Sequence, residues 1–453
     1  MSTNNSSTSF SYVIMISIVA AIGGLLFGYD TAVIAGAIGS IQTIFDLSPA
    51  LTGWAASSAI WGCIIGVAIA GILSDKFGRK KILILSAILF AMSAIGSSIP
   101  NNLTQFVIAR LIGGVGVGIA SMLSPMYISE IAPANIRGTL VTLYQLAIVI
   151  GINLIYFINL KIVASGDAQW NLDTGWRIML GSELIPALLF FVLLIFIPES
   201  PRWLVTKGKL GEAKTILEKI NGQSIATEQL TEIQDSFKEE KGSIKELFVS
   251  DLRMAMIIGM FLAFFSQITG INAIIYYAPE IFKSVGFGTD SAMFQTVIIG
   301  IVNTIFTFVA LAFIDKYGRR TLLLWGITGM IICLGGVGFM FHIESSSGPW
   351  LLLFVLGFIA SFAMSLGPIP WVLIAEIFPT KVRGIAMSIS VLMLWIGVVL
   401  ITQLTPVFLD SIGGAFTFWT FMFNAIILII FTYKIIPETK GKTLEEIGKT
   451  WKT

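Results

Sequence analysis

Charge is what this sequence has least of. Of its 453 residues only 12% are Asp, Glu, Lys or Arg, about half the share near 25% of an ordinary soluble domain. Hydrophobic residues make up 56%, and the mean hydropathy is +0.89. That balance excludes a soluble globular protein, and it gives no basic surface on which nucleic acid would bind. There is one histidine, His342, and there are two cysteines, Cys63 and Cys333, all within or at the end of apolar runs. Three such residues give neither a metal-ligating cluster nor a disulfide framework, so no metal and no other cofactor is expected; a free Cys in apolar surroundings acts as a small hydrophobe. A phosphate-binding loop is missing as well. "GGVGVG" (113–118) lies inside an apolar run, where Gly114 and Gly118 have the small-xxx-small spacing of close helix packing. No catalytic constellation is present, and an enzyme is not expected. The N-terminal "MSTNNSSTSF" has no basic residue, so it reads as a short tail and not as a removable signal peptide.

What the chain does have is apolar length. Crossing roughly 30 Å of hydrocarbon takes about 20 helical residues, and twelve runs of that order can be marked, at about 12–36, 51–74, 82–99, 104–127, 139–160, 176–197, 254–278, 291–314, 321–341, 350–374, 385–408 and 414–436. Basic residues near span ends resist translocation. With both termini inside, 24 of the 28 Lys and Arg fall on the cytoplasmic side. Lys161, Arg177 and Lys283 fall outside, and Arg110 lies within a span. The expected placement is a multi-pass protein of the plasma membrane with both termini cytoplasmic.

The chain also repeats itself. "GILSDKFGRKK" (71–81) returns as "AFIDKYGRRTL" (312–322), "SEIAPANIRG" (129–138) as "AEIFPTKVRG" (375–384), and "PESPR" (198–202) as "PETKG" (437–441). The offsets are 240 residues from Asp75 to Asp315, 246 from Glu130 to Glu376 and 239 from Pro198 to Pro437. Three motifs at nearly one offset mark a duplicated six-span unit. Six is even, so both copies share an orientation, and parallel repeats of this kind place their ligand at the repeat interface. The expected fold is all-α integral membrane, twelve transmembrane helices in two six-helix halves. Its boundaries are a tail over 1–11, a first half over 12–198, a cytoplasmic helical linker over 199–252 with helical patterning in "LGEAKTILEKI", a second half over 253–437 and a tail over 438–453.

Each repeated motif carries an acid beside its bases, although orientation needs the bases alone. Asp75 with Arg79, Glu130 with Arg137, Asp315 with Arg319, and Glu376 with Arg383 are placed to pair between neighbouring helices, and Glu199 and Glu438 to accept from these arginines. Together they read as a cytoplasmic gate between the halves that breaks when that side opens; the plainer reading is topological charge. Three more ionisable residues lie inside spans: Asp30, Arg110 and Glu183, all in the first half. An Asp at a helix centre costs about 2.5 to 3.5 kcal/mol on insertion scales, so these groups are expected to face the bundle interior and pair.

The paired "DKFGRKK" and "DKYGRR", with "PESPRWL", "PETKGKTLEEI" and the two E-x6-R-G blocks, resemble the sugar porter family of the major facilitator superfamily over nearly the whole chain. That resemblance implies a monosaccharide carrier working by alternating access. It implies that Asp30 carries the proton, that Arg110 is its partner and that Glu183 joins their network. It also implies a sugar site of Gln145, Gln267, Asn272, Tyr276, Asn303, Gly367, Trp371 and Trp395. Sugars need hydrogen-bonding side chains with an aromatic face, which "FSQITGINAIIYYAP" supplies. Gln267 and Asn272 are about 140° apart on a regular helix, so they converge only if the span is distorted near Gly270. Two positions depart from the family: Ser266 stands for the first of two adjacent glutamines, and Leu394 for a polar residue. The expected partners are a pentose or hexose such as xylose or glucose, protons and the lipid bilayer, with a monomer as the working form. A passive uniporter, a polyol or inositol symporter and a transporter-like sugar sensor remain open.

Overall fold

The computed structural model describes residues 5–133, 136–236, 244–248, 250–343, 348–378 and 380–440. Among these residues every regular element is helical, and twelve segments have the length and hydropathy to cross a membrane. Spans 1 to 6 are Phe10–Ile44, Pro49–Phe77, Arg79–Ser98, Leu103–Ile131, Arg137–Val163 and Ala168–Phe196. Spans 7 to 12 are Leu252–Ser284, Thr289–Ile314, Arg319–His342, Pro349–Ile374, Gly384–Ser411 and Gly413–Lys434. Large apolar side chains are turned outward, Ile185 and Phe196 each 75% exposed and Ile72 72%. Exposure of that kind suits lipid and not water. Spans 1, 6 and 7 run further than their apolar runs. Span 6 starts early because Asp167 accepts the Trp170 N–H at 2.8 Å and a π turn, Asn171–Gly175, carries the helix into Trp176.

The helices pack as two compact units. The first takes its residues from Met1–Val33, Ser58–Ile155 and Trp176–Glu240, the second from Ile34–Ser57, Tyr156–Gly175 and Lys241–Thr453. Within the first unit glycines let backbones touch. A β-carbon at Gly62 would lie 2.2 Å from the Leu111 carbonyl oxygen, at Gly66 2.3 Å from that of Val115, at Gly114 1.8 Å from that of Ala59 and at Gly118 2.3 Å from that of Cys63. The predicted role of Gly114 and Gly118 is thus met by Gly62 and Gly66 of span 2. Spans 1 and 5 meet in the same manner, Gly28 against Ile148 and Gly151 against Leu25. Three linker helices, Pro201–Thr206, Leu210–Asn221 and Gln223–Ser236, bury a small core of their own around Leu204, Ala213, Leu217 and Ala226. The patterned "LGEAKTILEKI" forms the middle helix.

In the second unit, span 7 is broken. Its first helix ends at Ile268, its second starts at Ile271, and Gly270 between them has φ +93°. Only glycine takes that backbone without strain, and here a β-carbon would also strike the Phe421 ring at 2.4 Å. Span 10 is interrupted likewise, by turns over 365–368 ahead of Pro368 and the helix Ile369–Ile377.

Candidate functional site

The three ionisable groups inside the first-half spans come together. Asp30 is fully buried in the last turn of a helix that ends at Ala32, and Arg110 and Glu183 are each 1% exposed. Arg110 holds Asp30 twice: Nη1 donates to Oδ1 at 2.5 Å and Nη2 to the Asp30 backbone carbonyl at 2.7 Å. That carbonyl lies where span 1 is interrupted at Val33, so the arginine also serves an orphan acceptor of the helix end. Glu183, at the N-cap of the helix Leu184–Phe196, is buried close to both charges. Among the described residues no N–H or O–H reaches Asp30 Oδ2 or Glu183 Oε1. Two carboxylates against one guanidinium leave a net negative charge in a buried site, which a proton can cancel. Tyr29 and Ser182, the preceding neighbours of the two acids, bond each other at 2.7 Å. Gly113 admits Ser93 to this cluster, since a β-carbon there would lie 2.3 Å from Ser93 Oγ and 3.6 Å from Asp30 Oδ1.

The break in span 7 does what the spacing of its polar residues required. Asn272 Nδ2 donates to Gln267 Oε1 at 2.8 Å, and Gln267 Nε2 donates to Ser266 Oγ at 3.0 Å. Ser266, fully buried, donates its own hydroxyl to the Ala263 carbonyl at 2.7 Å. Tyr276 is buried, and the neighbouring Tyr277 hydroxyl donates to the Thr402 carbonyl at 2.9 Å. Gly397 of span 11 lies against this stretch, where a β-carbon would meet Gln267 Cβ at 3.1 Å. Trp395 and Leu394, a turn or less away, are buried at 3% and 9% exposure. Asn303, Gly367 and Trp371 stand on spans 8 and 10 of the same unit, Trp371 38% exposed, and among the described residues no hydrogen bond ties them to the Gln267 pair. Gln145, on span 5, is half-buried and belongs to the first unit.

One residue of this region has no counterpart in the sequence reading. Asn424 of span 12 donates from Nδ2 to the Ile268 carbonyl at 2.9 Å, satisfying an acceptor that the break in span 7 leaves without its helical donor. The signal was there to see, a lone Asn in the apolar run "FMFNAIILII".

The repeated motifs form two matching clusters, in which Asp75 pairs with Arg79 as expected while Glu130 and Glu376 bind Arg79 and Arg319. Arg79, not Arg137, binds Glu130, at 3.1 Å from Nε, and also Asp75, at 3.0 Å from Nη1. Arg137 donates instead to the Ala132 carbonyl at 3.4 Å. The reason is register: Arg79 opens span 3 beside the last turn of span 4, whereas Arg137 opens span 5 and is turned outward. Glu199 does not take arginine side chains either. Its Oε1 accepts the backbone N–H groups of Arg79, Lys80 and Ser200 at 2.9, 3.1 and 2.9 Å, capping the positive end of span 3. Burial pushes the Glu199 carboxyl up, and those three N–H donors hold it back. Glu438 repeats the arrangement on span 9, accepting from Arg319 and Arg320 N–H at 2.9 and 3.1 Å. Arg319 binds Glu376 at 2.8 Å, and Thr439 completes Glu376 at 2.6 Å. Gly78 and Gly318, at φ +101° and +88°, sit under the two caps, where a β-carbon would lie 2.2 and 2.5 Å from the Glu199 and Glu438 oxygens. The Asp315 and Arg383 side chains lie outside the described residues.

Comparison with known proteins agrees with this geometry. A model of the family described as sugar (and other) transporter matches residues 16–451. The arabinose-proton symporter of Bacillus subtilis (strain 168) is 47% identical over 98% of this chain and 96% of its own. The D-xylose-proton symporter of Escherichia coli (strain K12) is 42% identical over 99% and 97%. Among solved structures, the inward-open conformation of the xylose transporter from E. coli matches with a TM-score of 0.87 at 41% identity, covering 97% of this chain and all of that one. A buried acid–base cluster, a broken span lined with neutral polar groups and a twice-built charged cap thus occur together in a multi-pass membrane protein that belongs to the sugar transporter family of the major facilitator superfamily.

Proposed function

We propose that this protein is a proton-coupled symporter that imports a neutral monosaccharide across the plasma membrane by alternating access, as a monomer with both termini cytoplasmic. The observation that carries the reading is the split of chemistry between the halves. Asp30, Arg110 and Glu183 bury two acids against one cation in the first, while Gln267 and Asn272 converge at a helix break in the second. Asp30 is the proton carrier, Arg110 its counter-ion and Glu183 the second acid. Gln267, Asn272, Tyr276, Asn303, Gly367, Trp371 and Trp395, with Gln145 from span 5, bind the sugar. The motif clusters of Asp75, Arg79, Glu130, Arg137 and Glu199, and of Asp315, Arg319, Glu376, Arg383 and Glu438, gate the cytoplasmic side. With about 2.3 kcal/mol per charge per 100 mV, one proton per sugar sustains roughly fifty-fold accumulation at that potential.

The named relatives carry arabinose and xylose, and a pentose is the first substrate to try. Uptake into proteoliposomes is measured for arabinose, xylose, glucose, galactose and inositol with and without an inward proton gradient. Gradient-driven accumulation of a pentose with alkalinisation of the medium is expected. Equilibration without accumulation would replace symport by passive uniport, and accumulation of inositol alone would replace the sugar by a polyol.

A further inference from the structure

The compact unit that contains spans 7 to 12 also takes in Ile34–Ser57 and Tyr156–Gly175, the ends of spans 1, 2, 5 and 6 that lie away from the charged motifs. Tyr156 and Gln403 make such attachments, and Tyr277 ties span 7 to span 11 between them. The Tyr156 hydroxyl on span 5 donates to the Ile275 carbonyl on span 7 at 2.7 Å, and the Tyr277 hydroxyl on span 7 donates to the Thr402 carbonyl on span 11 at 2.9 Å. The next residue, Gln403, makes two bonds to span 2: Nε2 donates to the Ala50 carbonyl at 2.9 Å, and Oε1 accepts the hydroxyl of the fully buried Ser57 at 2.8 Å. Gly53 lies between those two anchor points, and its absent side chain lets the Gln403 backbone in; a β-carbon at Gly53 would be 2.1 Å from the Gln403 carbonyl oxygen. One amide therefore spans nearly two turns of span 2 at a site without bulk, with its donor and its acceptor both used.

The geometry points to Gln403 as the clasp of the outer gate: its two bonds to span 2 hold the extracellular side shut, and breaking them is part of each return to the outward-facing state. This rests on the alternating-access reading above. Spans 2 and 11 belong to opposite halves of the duplication, so relative movement of the halves has to separate them. Gln403 is not among the residues assigned above to the sugar or to the proton. Its effect is on the balance between the two states, and a change there moves that balance without touching the site.

The test is a distance measurement with no sugar and no gradient. Spin labels are placed at the exposed Leu51→Cys and Ile412→Cys positions, with Cys63 and Cys333 changed to Ala, in lipid nanodiscs. Gln403→Leu keeps similar bulk and removes both bonds. It should raise the ratio of long to short distances about five- to thirty-fold, the factor that accompanies loss of one or two modest interactions. Ser57→Ala removes one bond and should move the ratio the same way by less, so it decides the matter if Gln403→Leu folds poorly. Parent-like distributions in the folded variants would overturn the clasp. If the distances shift while no sugar in the uptake panel is carried, the transport reading falls and the clasp stands; if a sugar is accumulated and the distances stay put, the reverse holds.

Discussion

The two halves agree at their charged ends and disagree in their interiors. Glu199 on span 3 and Glu438 on span 9 cap helices that begin with Arg79 and Arg319, over glycines with the same positive φ, with bonds alike to within 0.1 Å. Inside the spans the likeness ends. The first half holds two acids and an arginine with almost no exposure to solvent, and the second half answers with amides, hydroxyls and aromatic rings around Gly270. Duplication kept the structural joint in both copies because each copy must start a helix at a polar surface. A second set of buried charges would carry the same insertion penalty, several kcal/mol per acid.

The sharpest way to break this comparison is to neutralise the first-half interior. Asp30→Asn keeps volume and hydrogen bonding but gives the site no titrating carboxyl at that position. Gradient-driven accumulation in proteoliposomes should disappear, with sugar binding and exchange still measurable; uphill uptake at the parent level would remove Asp30 from coupling.

A smaller effect is expected from the joints, and here the halves should behave alike. Glu199→Ala and Glu438→Ala each leave two helix-opening N–H groups without their acceptor, a loss of about 1 to 3 kcal/mol, seen as a lower thermal midpoint in detergent for both variants. Glu199→Gln keeps an acceptor and no longer buries a charge that its surroundings resist, so it should recover most of the loss. A drop confined to one half would show that only one cap bears on stability.

The smallest effect sharpens the second-half interior. Leu394 offers a sugar hydroxyl no partner, and a hydroxyl facing it would go unpaired at a cost of about 1 to 3 kcal/mol. Xylose lacks the hydroxymethyl group of a hexose. Leu394→Gln should therefore shift competition between labelled xylose and unlabelled glucose toward glucose, and an unchanged ratio would place residue 394 away from the ligand.

Much of this architecture was legible in the linear chain, for identifiable reasons. Spans are visible because bilayer thickness sets a length of apolar chain, and the break at Gly270 is visible because Gln267 and Asn272 cannot share a purpose on an unbroken helix. The interruption at Val33 was not legible, since "DTAVIAG" contains no residue that ends a helix there and the freed Asp30 carbonyl is met by Arg110, 80 residues away. The motif partners were misread for a related reason. Charges in a motif suggest other charges, but Glu199 and Glu438 serve backbone N–H groups, which every sequence has and none displays. Glu130 chose Arg79 over Arg137 through the register of spans 3, 4 and 5, a tertiary fact. Asn424 was overlooked because a single amide in a span usually serves packing, and its purpose exists only once span 7 is broken.

The double hold of Arg110 on Asp30 has a mechanical meaning. One mooring is a carboxylate whose charge a proton can cancel, and the other is a peptide carbonyl whose dipole no pH change removes. When the carboxylate is neutralised the guanidinium loses one rope and keeps the other. The second mooring is part of the backbone, so the positive charge stays tied to the end of the first helix whatever the state of the carboxylate.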